Sequence, residues 1–254
     1  ALSLVYSILN TKEYADVPIR IMPDVHTGVG IVIGFSAPIT HALNPSFVGV
    51  DIGCGMYTVN LGKCDIDLEK LDEACHFVPS GMNVWQGRQE HFDLERLRCF
   101  RELKDSKRLE RSLGTLGGGN HFIEADRDDE GNLYIVVHSG SRHAGKEIAE
   151  YYQEEAWKQL NGNAEIDCAK LISRLKTEGR ETEIQEELAK LKSQIKTDIP
   201  KDLAYVSGQL FTDYINDMKI MQHFAAMNRK AMIEIISILT WGIRSYGFLI
   251  CRIY

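Results

Sequence analysis

Short apolar runs alternate with turn-forming residues in the first quarter of the chain. Four such runs are separated by Gly, Pro, Asn and Asp, and they occupy residues 19–22, 31–35, 47–50 and 57–61. Runs of this length between such residues are typical of strands joined by tight loops. The segments HFIEAD and NLYIVVHSG predict two further strands, which the hairpin-type turn RDDEGN connects.

Longer segments with apolar residues at helical spacing follow these strands. A short helix is expected in CDIDLEKLDEAC, and a longer amphipathic one in 93–116. Helices are also predicted in 145–160 and 203–236, the latter as one helix or a pair. The Glu, Lys and Leu-rich segment 163–202 breaks at Glu178–Gly179 and predicts an inserted helical hairpin.

Together these elements predict an α+β fold. We expect a mixed β-sheet core with glycine-rich loops, flanked by helices, in a single domain over residues 1–254. No apolar run reaches the length that spans a bilayer, and no signal peptide is seen at the start. Six cysteines without a CxxC pair favour a reducing, cytoplasmic location. A formal charge of −7 argues against broad wrapping by nucleic acid, although a local basic groove remains compatible with it.

The stretch FVGVDIGCGM places Asp51 and Cys54 in a tight bend between glycines. By itself this bend is compatible with an ordinary β-turn that contains a thiol. Three other loop-like segments, PDVH, GGGNHF and HSGSR, also combine ligand-type side chains with turns or glycines. The four segments contain these candidate functional residues: Asp24, His26, Asp51, Cys54, Asn120, His121, His138 and Arg142.

Carboxylate, thiolate and imidazole groups form a mixed ligand set that suits Zn²⁺, Mn²⁺, Fe²⁺ or Co²⁺. A thiolate can also bridge two cations, which would permit two-metal phosphoryl chemistry. Two of the other segments also have an alternative interpretation: GGGNH as a flexible hairpin, and HSGSR as a non-catalytic anion nest. GTLGGG follows a predicted helix and lacks the Lys-Ser/Thr ending of a P-loop, so no Walker site is predicted.

The ordered motifs MPDVHTGVGIVIGF, VGVDIGCGM, LGTLGGGNHFIE, VVHSGSR and NRKAM resemble the RtcB-type RNA ligase family, over residues 19 to 232. The resemblance implies a ligase of tRNA splicing or RNA repair. Such ligases join RNA ending in a 2′,3′-cyclic phosphate or 3′-phosphate to RNA with a 5′-hydroxyl. They use GTP and two Mn²⁺ ions through a histidine–GMP intermediate. The implied partners are these RNA ends and an archease-like activator.

The same resemblance implies roles for individual residues. Asp51, Cys54 and His121 would hold one Mn²⁺ ion, and Cys54 and His138 would help hold the other, so that Cys54 bridges them. Asn120 and Glu124 fall where the family contacts the guanylate. Arg142 would suit RNA phosphate binding, and His26 either RNA binding or orientation of a ligand.

Three further family features are not found in this sequence: another histidine ligand, the nucleophilic histidine and a nucleotide-contacting lysine. Residues 237–254 do not resemble the family, so we expect a form that is truncated or altered at its C-terminus and lacks a catalytic residue of its own. Two other interpretations remain: a non-catalytic metal- and RNA-binding fragment or paralogue, and a metal-dependent phosphodiesterase acting on RNA termini.

Overall fold

A computed structural model describes residues 1–14, 16–28, 30–161, 164–192, 199–242 and 249–251. The described helices are α1 Leu2–Leu9, α2 Pro45–Val48, α3 Leu68–Phe77, α4 Ser106–Arg111, α5 Arg142–Asn161, α6 Ala164–Thr177, α7 Ile184–Lys192 and α8 Gly208–Trp241. The described strands are β1 Arg20–Thr27, β2 Val32–Ser36, β3 Ala42–Leu43, β4 Gly55–Gly62, β5 Phe122–Arg127, β6 Leu133–Ser139, β7 Val206–Ser207 and β8 Leu249–Cys251. Helices and small antiparallel sheets confirm the α+β class.

The chain divides into two compact units. The first consists of Ala1–Gly49 and Ala149–Tyr214, and the second of Val50–Ile148 and Ile215–Tyr254. Our expectation of one domain over 1–254 stays a prediction. Among the described residues, no helix combines the length and the apolar character needed to cross a membrane.

The first unit contains two antiparallel strand pairs, β1 with β2 and β3 with β7. Ile8, Tyr14, Ile31 and Leu203 form a small apolar cluster within it. In the region predicted as a helical hairpin, α6 contacts α7, and Gly179 takes a positive φ of 71° beyond the end of α6. Residues 162–163 and 193–198 lie outside the described residues, and the assignment of 163–202 as an insertion stays a prediction.

The second unit is built on an antiparallel sheet with the strand order β5-β6-β4-β8. One face of the sheet is buried because Val59, Ile135 and Val137 alternate inward and pack with apolar side chains of α3 and α8. Since side chains alternate along a strand, His138 points to the opposite, more open face. Phe122 of β5 and Met56 of β4 both pair with His138 across the sheet.

Several predicted elements are confirmed, among them the β5–β6 hairpin, β4 and α3. Two predictions are wrong. Part of the expected strand 47–50 lies in α2, because Asn44 caps the N-terminus by accepting the Ser46 N–H and Pro45 takes the first helical position. The expected helix 93–116 consists instead of two 3₁₀ turns and the six-residue α4.

Tertiary contacts explain why segment 93–116 is not one long helix. Asp217 of α8 is fully buried, and its carboxylate accepts the backbone N–H groups of Arg98 and Cys99 at 2.8 and 3.1 Å. These bonds hold the segment as turns. Asp105 then caps a new, short helix by accepting the Arg108 N–H.

Candidate metal centre

A tight turn between α2 and β4 holds the first two predicted ligands. The Cys54 N–H donates to the Asp51 carbonyl oxygen at 3.0 Å, and Gly53 has a positive φ of 76°. A Cβ atom at position 53 would lie 2.8 Å from the Gln222 Cα of α8. Glycine is therefore required both by the backbone conformation and by the close approach of the helix.

The sheet brings the two predicted histidine ligands to this turn. His121 immediately precedes β5, and His138 lies near the end of β6, paired with Met56 just beyond Cys54. The Cys54 Sγ atom lies 3.2 Å from His138 Nε2 and 3.6 Å from His121 Nε2. His121 Nε2 lies 2.8 Å from the Asp51 Oδ2 atom.

The four side chains thus form two groups that share one thiol. Donor atoms of Asp51, Cys54 and His121 all lie within 4.8 Å of one another, close enough to hold one metal ion. His138 contacts the same sulfur from the other strand. The donor set fits transition-metal binding, because a carboxylate oxygen, a thiolate sulfur and imidazole nitrogens are its usual protein ligands.

Hydrogen bonds behind these side chains orient them. His121 Nδ1 donates to the Leu116 carbonyl oxygen at 2.9 Å, which turns Nε2 toward Asp51 and Cys54. Asp51 Oδ1 accepts the Ser141 N–H at 2.8 Å, which leaves Oδ2 to face His121. The donor nitrogen of His121 and the donor oxygen of Asp51 are therefore held in place by contacts outside the cluster.

Burial and neighbouring charges set the proton states of the cluster. Although the Cys54 residue is exposed, partial desolvation of its thiol and the nearby Asp51 carboxylate raise the pKa of that thiol to about 11, whereas the Arg229 charge opposes this rise. Burial and the adjacent His121 lower the pKa of His138, which favours its neutral imidazole. Neutral histidine is the form that binds metal, while the thiol must release its proton to do so.

An open pocket of about 360 Å³ borders the cluster within the same unit. Asp51 lies on its wall beside four basic side chains, those of Arg108, Arg142, His143 and Lys146. Arg142 is held there by donating to Thr115 Oγ1 at 3.0 Å and to the Gly81 carbonyl oxygen at 2.9 Å. The pocket therefore combines a possible metal ligand with several positive charges, as a phosphate site requires.

The remaining predicted residues are not all brought to this place. Asn120 and Glu124 are exposed, and Glu124 lies two residues beyond Phe122 on the face of the sheet that carries His138. His26 is exposed in β1 of the first unit, where its Nδ1 contacts the Asp24 carbonyl oxygen at 2.7 Å. Asp24 and His26 are therefore not among the side chains gathered in the second unit.

Four residues near the cluster were given no role by the sequence: Arg108, Lys146, Asn228 and Arg229. Asn228 and Arg229 begin the motif NRKAM, and their position in a helix rich in Met and aromatic residues gave a signal that sequence reasoning left unused. Arg108 and Lys146 lie in helices that carry several basic residues, so their sequence context does not distinguish them.

Comparison with known proteins adds a family to this geometry. A family model described as "tRNA-splicing ligase RtcB" matches residues 10–103 and 86–240. The chain is 33% identical over 241 residues to the RNA-splicing ligase RtcB of Escherichia coli K12. The alignment covers 85% of this chain and 52% of the E. coli protein. The tRNA-splicing ligase RtcB of Methanococcus maripaludis is 29% identical over 213 residues, and this alignment covers 60% of the chain and 44% of the M. maripaludis protein. The chain thus spans about half the length of the E. coli relative.

Proposed function

The chain belongs to the RtcB family of tRNA-splicing ligases, and on that basis we propose that it carries the metal-binding part of an RNA ligase. The observation that supports this is the convergence of Asp51, Cys54, His121 and His138 around one thiol. We propose that the whole protein joins RNA ending in a 3′-phosphate or 2′,3′-cyclic phosphate to RNA with a 5′-hydroxyl, using GTP.

The four side chains would hold two divalent cations. Asp51, Cys54 and His121 would bind one ion, and Cys54 with His138 would bind the second, so that the thiolate bridges them. Mn²⁺ is the metal that the family resemblance implies, whereas the donor set alone is also suited to other transition metals. Bound cations would neutralise phosphate oxygens and orient the reacting groups.

The surroundings of the cluster are suited to RNA and nucleotide. We assign the basic pocket lined by Arg108, Arg142 and Lys146 to a phosphate of the RNA end. Asn120 and Glu124, on the exposed side of β5 and the loop before it, are proposed to contact the guanylate. His26 is proposed as an RNA contact of the first unit.

Guanylylation and ligation are proposed for the whole protein, since the chain spans about half of its E. coli relative. The test incubates the whole protein that contains this chain with labelled GTP, Mn²⁺ and two RNA strands, one ending in a 3′-phosphate and the other in a 5′-hydroxyl. We expect an acid-labile GMP adduct and a joined RNA that requires both ends. Release of a 3′-phosphate from cyclic-phosphate RNA without GTP would instead indicate a phosphodiesterase, and RNA binding without turnover a non-catalytic protein.

The pocket assignment predicts a phosphate-specific loss of affinity in the variant Arg108→Met. The guanidinium of Arg108 lies on the pocket wall, and its Nη2 donates to the Met82 carbonyl oxygen at 2.7 Å. Losing one phosphate contact to single-stranded RNA reduces the slope of log affinity against log salt by about 0.7. Fluorescence anisotropy with oligoribonucleotides ending in a 3′-phosphate or a 3′-hydroxyl measures both the affinity and the slope.

Lys107→Met is the matched control, because Lys107 is exposed on the same helix and does not line the pocket. We expect this variant to keep the preference for the 3′-phosphate strand. Equal losses in the two variants, or a loss that is the same for both RNA ends, would contradict the assignment.

A further inference from the structure

Arg229 of α8 connects two elements that carry predicted metal ligands. Its Nη1 donates to the Gly53 carbonyl oxygen at 2.8 Å and to the Ser139 carbonyl oxygen at 2.7 Å. Gly53 immediately precedes Cys54, and Ser139 immediately follows His138. One nitrogen atom therefore joins the turn of the thiol to the strand end of the imidazole, where sulfur and Nε2 are 3.2 Å apart.

The preceding residue, Asn228, joins the other two elements of the site. Its side chain is fully buried, and its Oδ1 accepts the N–H groups of Gly114 and Thr115 at 2.7 and 3.0 Å. Its Nδ2 donates to the Gly140 carbonyl oxygen at 3.1 Å. The first contact fixes the loop that leads to His121, and the second fixes the residue before Ser141, whose N–H binds Asp51.

We propose that Asn228 and Arg229 are positioning residues of the metal centre, and that Arg229 sets the separation between Cys54 and His138. This inference rests on the proposed metal site. The two side chains are well suited to the role because they project from consecutive positions of a 34-residue helix, and because the planar guanidinium loses little freedom when it makes several hydrogen bonds.

A residue with only a packing role would contribute to stability alone. A positioning residue affects in addition how the folded protein binds metal.

The test measures Co²⁺ binding to Arg229→Met, a substitution that keeps the apolar length of the side chain. Loss of an outer contact of this kind costs about 10–100-fold in metal affinity, and we expect a loss of that size. We also expect a weaker thiolate-to-cobalt charge-transfer band, because the sulfur is no longer held beside His138. Thermal unfolding of the metal-free variant establishes that the comparison is made on folded protein.

Lys230→Met is the matched control. It removes one positive charge from the next position of α8, where Lys230 is exposed and pairs with Glu234 at 3.6 Å. Its Co²⁺ affinity and spectrum are expected to match those of the unsubstituted chain. If Arg229→Met does not fold, Arg229→Lys is compared in its place. We then expect a smaller loss of Co²⁺ affinity.

The outcomes separate this inference from the proposed function. Failure of the unsubstituted chain to bind Co²⁺ would remove the metal site itself. Tight binding by the unsubstituted chain, with unchanged affinity and spectrum in the folded Arg229 variant, would overturn the positioning role and leave the metal site standing. Weaker binding in the Lys230 control by the same factor would also overturn it, since a general charge effect would then explain the loss.

Discussion

Replacing Cys54 with alanine is expected to abolish tight binding of both metal ions while the fold is retained. The sulfur is the one donor that contacts both histidines, at 3.2 and 3.6 Å, so its loss removes a ligand from each proposed ion. The Cys54 residue is exposed, and substitutions at such positions change the free energy of unfolding by about 0.5 kcal/mol or less. Elemental analysis after dialysis against Mn²⁺ or Co²⁺ measures the stoichiometry.

Cys64→Ala is the matched control, because Cys64 is a half-buried free thiol in the same unit, beyond the other end of β4. It should leave the metal content unchanged. Loss of one ion and not the other in Cys54→Ala would contradict the bridging role and restrict the thiol to a single ion. Unchanged metal content would contradict any role of this thiol in metal binding.

Local pattern was sufficient to predict the elements whose conformation is decided by neighbouring residues. The β5–β6 hairpin follows from two alternating strands around the turn Asp128–Asn132, where Asp128 Oδ1 accepts the Asn132 N–H at 2.8 Å. The helix α3 follows from its apolar spacing and from Asp67, which caps it by accepting the Lys70 N–H. In both cases the stabilising contacts lie within a few residues of each other.

The errors arose where distant residues decide the conformation. Segment 93–116 has a helical apolar pattern, yet the buried carboxylate of Asp217, more than a hundred positions away, fixes two of its backbone N–H groups. Apolar periodicity carries no information about such a bond. Tertiary contacts of this kind commonly override intrinsic propensity.

The candidate site shows the same division. Asp51, Cys54, His121 and His138 were recognised because their residue types and the motifs around them are distinctive. Their mutual distances depend on the antiparallel register, in which Met56 and Phe122 both face His138. Arg229 was not recognised, since its contacts to Gly53 and Ser139 bridge about 176 and 90 positions and an arginine on a helix is most often a solvent-exposed residue.

The substitution Gly140→Ala is expected to disrupt the metal centre through a steric effect on Asp51. A Cβ atom at position 140 would overlap the Asp51 carboxylate, so the carboxylate must rotate away and lose the 2.8 Å bond from the Ser141 N–H. Gly140 is not among the glycines with positive φ, so the effect arises from the overlap and not from backbone strain. We expect about 10–100-fold weaker metal binding and a free energy of unfolding lower by about 1–3 kcal/mol.

Co²⁺ titration and chemical unfolding of the metal-free chain measure these two effects. Gly87→Ala is the control, because no other group lies within 4 Å of a Cβ at that position and its φ is not positive. It should change neither quantity. If Gly87→Ala lowered the Co²⁺ affinity and the free energy of unfolding as much as Gly140→Ala does, the loss at position 140 would reflect glycine replacement in general.

A double-mutant cycle with Asp51→Ala identifies the side chain through which Gly140 acts. Without the carboxylate, the added methyl group has room, so Gly140→Ala should cost little stability in the Asp51→Ala background. The interaction energy is then expected to equal most of the loss of unfolding free energy in Gly140→Ala, and to fall within the range of about 0.5–3 kcal/mol that contacting residues show. Additive effects would mean that the methyl group disturbs another part of the site, and that Gly140 is not required for the placement of Asp51.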